Sequence, residues 1–462
     1  MKGIYLHIIY ICLAVALLAG CRSEYPHVEY EGNPGKVDFE NIDSRVPIMV
    51  AISDPLYTTY TRGTGAFDNV RGENSINKDW KDADFFVYAF YSPGVAGAPD
   101  GINYSERMNS QNEEKFYCLV DDTDNDNLGH GKRARLNRDM TSFLQWADED
   151  DVYYSSTYPQ YRYKFFAYHL DDAADLTHKP ERNIDYVAYD VKIDGTQDLM
   201  TGYATPTKEQ LRKLGTASDK HILNNLDNLA YSTETGNVNL FPIFDMKHQL
   251  AYLTFSLKAA EVTYWDEEKE EVVNGIDPAV ENVRVENVFI TSPYHGEFVV
   301  AADDVNRLGI DFTTETKDLY LPVRVKTDAD GNIITDEQGC RITVSRDEEG
   351  VIMAGDEYGF NPRLTPRKEE QVMGAGILLP PSDEYNLKLR YMQKVEDGTG
   401  EEKVIRYTSS HPIRLEGGFK AGSKYEVVIK VYGLRRVVLQ LGDVLWEDGG
   451  DIDIDEDGAA DE

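Results

Sequence analysis

The amino-acid sequence predicts a mainly β protein, two antiparallel β-sandwich domains with a few short helices, and three observations lead there. The 30 Tyr and 17 Phe among 462 residues favour strands, because aromatic rings pack well on a pleated, half-buried surface. Short apolar alternations recur with turn residues between them, the pattern of a sandwich. The length exceeds one ordinary core and, at roughly 150 residues per domain, fits two large ones.

The chain opens with Lys2 and an apolar run over residues 4–19, a secretory signal that is short for a membrane span. The run ends in Leu18, Ala19, Gly20 and Cys21, which resembles the bacterial lipoprotein signal. That resemblance implies removal of residues 1–20 and lipidation of Cys21, the first residue of the mature chain. Several acyl chains anchor a protein stably where a single one is marginal. Only Cys118 and Cys340 then remain in the mature chain, so no disulfide framework holds it together. Both thiols are expected to be small buried hydrophobes.

Residues 21–45 carry Glu, Gly, Pro and Asn without periodicity and read as a leash of roughly 27 Å. Val46, Ile48, Val50 and Ile52 then alternate as one face of a strand over 46–52. About ten residues on, Arg62 sits in a Thr-Arg-Gly-Thr-Gly stretch, a flexible and exposed site.

The run 83–91 and the stretch 161–168 are aromatic and nearly continuous in apolar residues, as strands buried on both faces are. Short strands are expected at 116–120 and 186–191, with a tight turn at Asp194 and Gly195. Thr207 and Gln210 form a capping box for a short helix whose Leu211 and Leu214 share a face. The polar stretch 218–237 divides domains placed at 46–235 and 236–446. In the second, strands are expected at 238–241, 250–257, 285–290, 296–300, 385–391, 404–407, 425–431 and 437–441, with hairpin turns at Asp330-Gly331 and Asp397-Gly398. The tail 447–462 is too charged to pack.

A formal net charge of −35 excludes nucleic acid as a partner, since phosphate binding needs the opposite sign on a face. No His-Glu-x-x-His, Gly-x-Ser-x-Gly or Walker pattern occurs, so no catalytic residue and no cofactor is assigned and the protein is not read as an enzyme. His248 has no second ligand at metal spacing and reads as structural. Asp453, Asp455, Asp457 and Gly458 copy the opening of a calcium loop, but the chain ends before the twelfth ligand position. Asp122, Asp124 and Asp126 alternate with Asn127 where such a loop needs glycine. Both are read as solvated acidic segments.

Taken in order, these stretches resemble the Bacteroidetes fimbrillin family, the type V pilins and their Mfa-like relatives. The lipobox at Cys21, the strand 46–52, the Arg62 site and the strand 84–91 resemble the pilin N-terminus. The stretch 163–168 with Gln197, Asp198, Leu199 and Met200 is similar to the end of the family's first domain, and 245–255 to its recurring Phe-x-x-x-His-x-Leu segment. The stretches 419–425 and 446–450 look like its closing strands.

The resemblance implies two β-sandwiches of transthyretin-like arrangement on a lipid-anchored, outer-membrane protein. It implies that a trypsin-like protease cuts after Arg62, freeing the first strand, and that a neighbouring subunit supplies a replacement. Arg45 lies before the strand, and a cut there would leave it in place. The candidate donor is the C-terminal strand with Val437, Leu439, Leu441 and Leu445. The expected role is a structural or accessory subunit of a surface fimbrium that supports adhesion, with other pilus subunits as partners. The competing expectation is a monomeric outer-membrane lipoprotein that binds glycans, although Trp80, Trp146, Trp265 and Trp446 are spread out and make no visible platform.

Overall fold

The computed structural model describes residues 46–52, 84–91, 102–105, 118–121, 128–136, 143–147, 152–154, 161–207, 210–212, 231–237, 240–266, 268–345, 348, 350–396, 402–432, 437–445 and 451–452. Over these the protein is mainly β. The first strands are β1 (Val50–Ile52), β2 (Phe85–Tyr91), β3 (Cys118–Val120), β4 (Lys132–Leu136), β5 (Phe143–Trp146) and β6 (Tyr163–His169). They are followed by β7 (Glu181–Arg182), β8 (Tyr186–Lys192), β9 (Met200–Tyr203), β10 (Ile243–Phe244) and β11 (Lys247–His248).

One sheet runs β10-β1-β5-β4-β2-β6-β9-β11, with β3 beside β2. It closes on itself. Ala204, just past β9, bridges Phe244 of β10, while β11 continues the same segment alongside β9. Gly202 allows this approach, because a Cβ there would lie 2.6 Å from the Asp245 carbonyl oxygen.

The aromatic strands β2 and β6 are buried on both faces for a reason the closure supplies. Phe85, Val87, Ala89, Phe165 and Ala167 look into the ring and are fully buried. Tyr88, Phe90, Phe166 and Tyr168 look outward and join one core with Val187, Tyr189 and Val191 of β8.

The second half supplies β12 (Ala251–Ala259), β13 (Glu261–Asp266), β14 (Glu271–Ile276), β15 (Val283–Pro293), β16 (His295–Ala302) and β17 (Gly309–Phe312). Next come β18 (Thr316–Tyr320), β19 (Val323–Lys326), β20 (Gly350–Met353), β21 (Gln371–Leu379) and β22 (Ser382–Glu396). The last described strands are β23 (Glu402–Phe419), β24 (Ser423–Val431), β25 (Val437–Leu445) and β26 (Asp451–Ile452). The sheets β21-β12-β24-β25-β26 and β18-β15-β22-β23 share a core that includes Leu253, Leu257, Val427, Ile429, Val285, Val288, Leu387 and Leu389. Strict alternation along β24 buries every second side chain, as a strand with one inward face requires.

Several expectations change in detail. The pair expected at 385–391 and 404–407 extends to 15 and 18 residues, and the longer second strand carries Ile413 and Phe419 into the core. The hairpin β13–β14 was not expected, since its charged residues hide the alternation. Cys118 is buried but Cys340 is exposed, on a polar turn where Asp336 accepts its N–H. The capping box is present, with reciprocal bonds of 2.9 and 3.1 Å between Thr207 and Gln210. Residues 213–230, most of the expected domain divide, lie outside the described residues. Strands from both sides of residue 236 share sheets: β10 and β11 with β1 and β9, and β16 with β8.

Two buried polar groups brace these strands. Arg182 meets Asp121 at 2.7 Å with both side chains buried, and its guanidinium lies 5.3 Å from the Tyr88 ring centre. Asp121 also accepts the Gly131 N–H. At the end of β6, His169 lies 2.9 Å from Asp171 and 2.8 Å from the Asp84 carbonyl. Burial alone would depress its pKa, but the Asp171 carboxylate and these hydrogen bonds outweigh it and hold it at about 9. A histidine raised above its unfolded value near 6.5 stabilises the fold fully below that pH, and the contribution is lost as pH rises through about 9. The thermal midpoint should therefore fall between pH 6.5 and 9.5, and His169→Gln should flatten that part of the profile, which a pH series of melting curves checks.

Candidate functional site

Val46, Ile48, Val50 and Ile52 point to one side of the first strand and are buried, with exposures of 6, 2, 0 and 2%. Pro47 between them is exposed. The ladder proper covers only β1, so the first four residues are held by individual bonds. The Tyr154 N–H donates to the Val46 carbonyl at 2.9 Å, and the Ile48 N–H to that of Val152 at 2.7 Å. Trp146 Nε1 donates to the Ile48 carbonyl at 3.2 Å.

From Val50 onward the strand has a partner on each side. It runs antiparallel to β5, with Val50 opposite Leu144, and parallel to β10, with Ile52 opposite Phe244. The Ala51 N–H reaches the Pro242 carbonyl at 2.9 Å. β1 is thus the stave that joins β10 to β5 and completes the ring.

The floor of this seat is aromatic and tightly fitted. Gly236, in the short helix Thr233–Asn237, faces Val46 so closely that a Cβ would lie 2.7 Å from its Cγ1 and 3.0 Å from the Tyr154 ring. Ser232 fixes that helix, accepting the Gly236 N–H at 3.0 Å and exchanging hydrogen bonds with Thr235. Tyr154 packs edge-on against Phe165, and Phe165 against Tyr231. The hydroxyls of Tyr154 and Tyr163 are buried with no hydrogen-bond partner among the described residues, and burial raises both phenol pKa values. Such unpaired groups cost about 1–3 kcal/mol each.

The energetics of the seat are finely balanced. Four buried aliphatic side chains contribute roughly 6–12 kcal/mol, while ordering seven backbone residues costs about 7–14 kcal/mol. These nearly cancel, so the bonds to both flanking chains decide how firmly the strand is held.

The other sequence-marked residues fall elsewhere. Cys21, Arg45 and Arg62 lie outside the described residues, as do Trp80, Trp446, the leash 21–45 and both calcium-like acidic stretches beyond Asp121. Val437, Leu439, Leu441 and Leu445 belong to β25, paired along its length with β24 from Val431 opposite Val437 to Ser423 opposite Leu445. His248 holds the buried Asp198 carboxylate through Nδ1 at 2.8 Å. Among the described residues no group of three or more His, Cys, Asp or Glu is placed to hold a metal. Gly236 had no signal in the sequence, because a glycine in a polar stretch reads as a turn.

No family model matches the chain, and no curated protein matches it. Among solved structures, it is similar to a fimbrial protein from Bacteroides vulgatus at 11% identity and a TM-score of 0.39, covering 87% of this chain and 100% of that one. It is also similar to the fimbrial anchor protein Mfa2 from Porphyromonas gingivalis at 10% identity and a TM-score of 0.30, covering 87% of this chain and 100% of that one.

Ile48→Ala empties a pocket in the seat and should destabilise the protein by about 2–5 kcal/mol. Urea unfolding measures the loss, and faster amide exchange at Ala51 should accompany it.

Proposed function

We propose that this chain is a structural or accessory subunit of a lipoprotein-derived surface fimbrium that supports adhesion, anchored to the outer membrane through Cys21. The observation that carries the reading is the seat of the first strand. A stave with few ladder partners and four inward aliphatic side chains stands between two strands that would both lose bonds if it left. The vacated edges would present unpaired N–H and C=O groups and a row of apolar pockets, the requirements for strand addition. The order of the lipobox, first strand and Arg62 site supports the same reading, with a trypsin-like protease cutting after Arg62 and another pilus subunit supplying the replacement.

A second reading, a monomeric glycan-binding lipoprotein, is favoured by one observation. Trp265 of β13 is 58% exposed and stands opposite Val272, itself 64% exposed, which gives a sugar ring a face to stack on.

On this reading the parent protein forms heat-sensitive polymer ladders on gels, and Arg62→Ala in cells should abolish both N-terminal trimming and those ladders. Unchanged ladders would sink the proposed cut. Retardation by polysaccharide without ladders, lost in Trp265→Ala, would favour the second reading.

A further inference from the structure

We propose that the seat of β1 is selective and that Gly236 sets the selection at its first position. The seat admits a strand with aliphatic side chains at all four alternating positions and one no larger than valine at the first. It thereby excludes this chain's own C-terminal strand. On the fimbrial reading, on which this last step rests, the strand that replaces β1 comes from a different protein rather than from β25 of a second copy.

Size selection at the first position follows from contact distances. Val46 Cγ1 and the Tyr154 ring already lie 2.7 and 3.0 Å from where a Cβ on residue 236 would stand, closer than nonbonded carbon atoms approach. The space that receives Val46 therefore exists only because residue 236 has no side chain. The short helix is held to the sheet just before its start, where Tyr231 exchanges backbone hydrogen bonds with Tyr163 at 2.7 and 2.9 Å, and Ser232 and Thr235 bond to each other within it.

Chemistry at the remaining positions follows from burial. Ile48, Val50 and Ile52 are at most 2% exposed, so a charge or amide there would be buried with no partner, a severe penalty.

The sequence of β25 fails this test in every register. With Val437 at the first position, Leu439 and Leu441 follow correctly but Asp443 replaces Ile52. Shifting by two in one direction puts Arg435 against Gly236, and in the other puts Asp443 in the place of Val50. The opposite face presents Gln440 and Gly442. Direction adds a further condition, because an occupant must run parallel to β10 and antiparallel to β5 at once.

The test uses the full chain and does not need the strand ever to be released. Gly236→Ala should speed amide exchange at Ile48 and Ala51 by roughly tenfold or more, the scale expected for overpacking. Val46→Leu should do the same in the otherwise unchanged protein. Adding Val46→Ala to Gly236→Ala should restore much of the protection, although Val46→Ala alone weakens it. A chain in which residues 46–52 carry the sequence of 437–443 should lose protection at both amides while the melting of the second half is retained. Additive effects of Gly236→Ala and Val46→Ala, or a graft as well protected as the parent, would overturn the proposal. Release of the strand is read separately by Arg62→Ala, so failure of selectivity and failure of the fimbrial reading give different results.

Discussion

The structure depends on the closing of its first sheet, completed by the bridge between Ala204 and Phe244. A closed sheet has no edge, and every N–H and C=O that would otherwise face solvent finds a neighbour. Here closure is achieved by a short stave, β1, whose neighbours come from residues about 90 and 190 positions later in the chain. The interior of the ring, the aromatic faces of β2 and β6, and the packing of β8 against their other side all presuppose that the ring is shut. Three residues of regular ladder thus carry a disproportionate share of the architecture, helped by individual bonds from Val46 and Ile48.

Around that weak point the protein is firmly built. The Arg182–Asp121 pair is buried and reinforced by the faces of Tyr88 and Phe90, an arrangement whose disruption would strand a charge in a dry environment. Tyr168 donates to the His130 carbonyl, and its hydroxyl lies 2.5 Å from that of Tyr189, linking β6 and β8 through polar atoms inside an apolar layer. Firmness there and near-balance at β1 are compatible, because local opening is governed by local contacts rather than by total stability.

Much of this was legible in the sequence. Alternation at 46–52 marked the four residues that line the seat, and continuous aromatic runs marked the strands that the ring and outer layer enclose from both sides. The capping box at Thr207 was readable because its chemistry is local. What could not be read was whatever depends on distant partners. Nothing in a lone Gly236 or Gly202 signals that residues far away press against them. The length of β22 and β23 is set by cross-strand pairs rather than by either strand's own alternation, and β13 and β14 conceal theirs among glutamates. Closure of the sheet through Ala204 and Phe244 is a property of three-dimensional proximity that periodicity does not encode.

The way β1 is clasped also has a mechanical meaning. Both flanking ladders lie parallel to the axis of β1, so a pull along that axis acts on both at once. Their hydrogen bonds are therefore loaded together in shear, instead of being peeled one by one from an end. A stave clasped in this geometry can resist a pull well, because forced detachment is governed by a barrier and not by the free-energy difference.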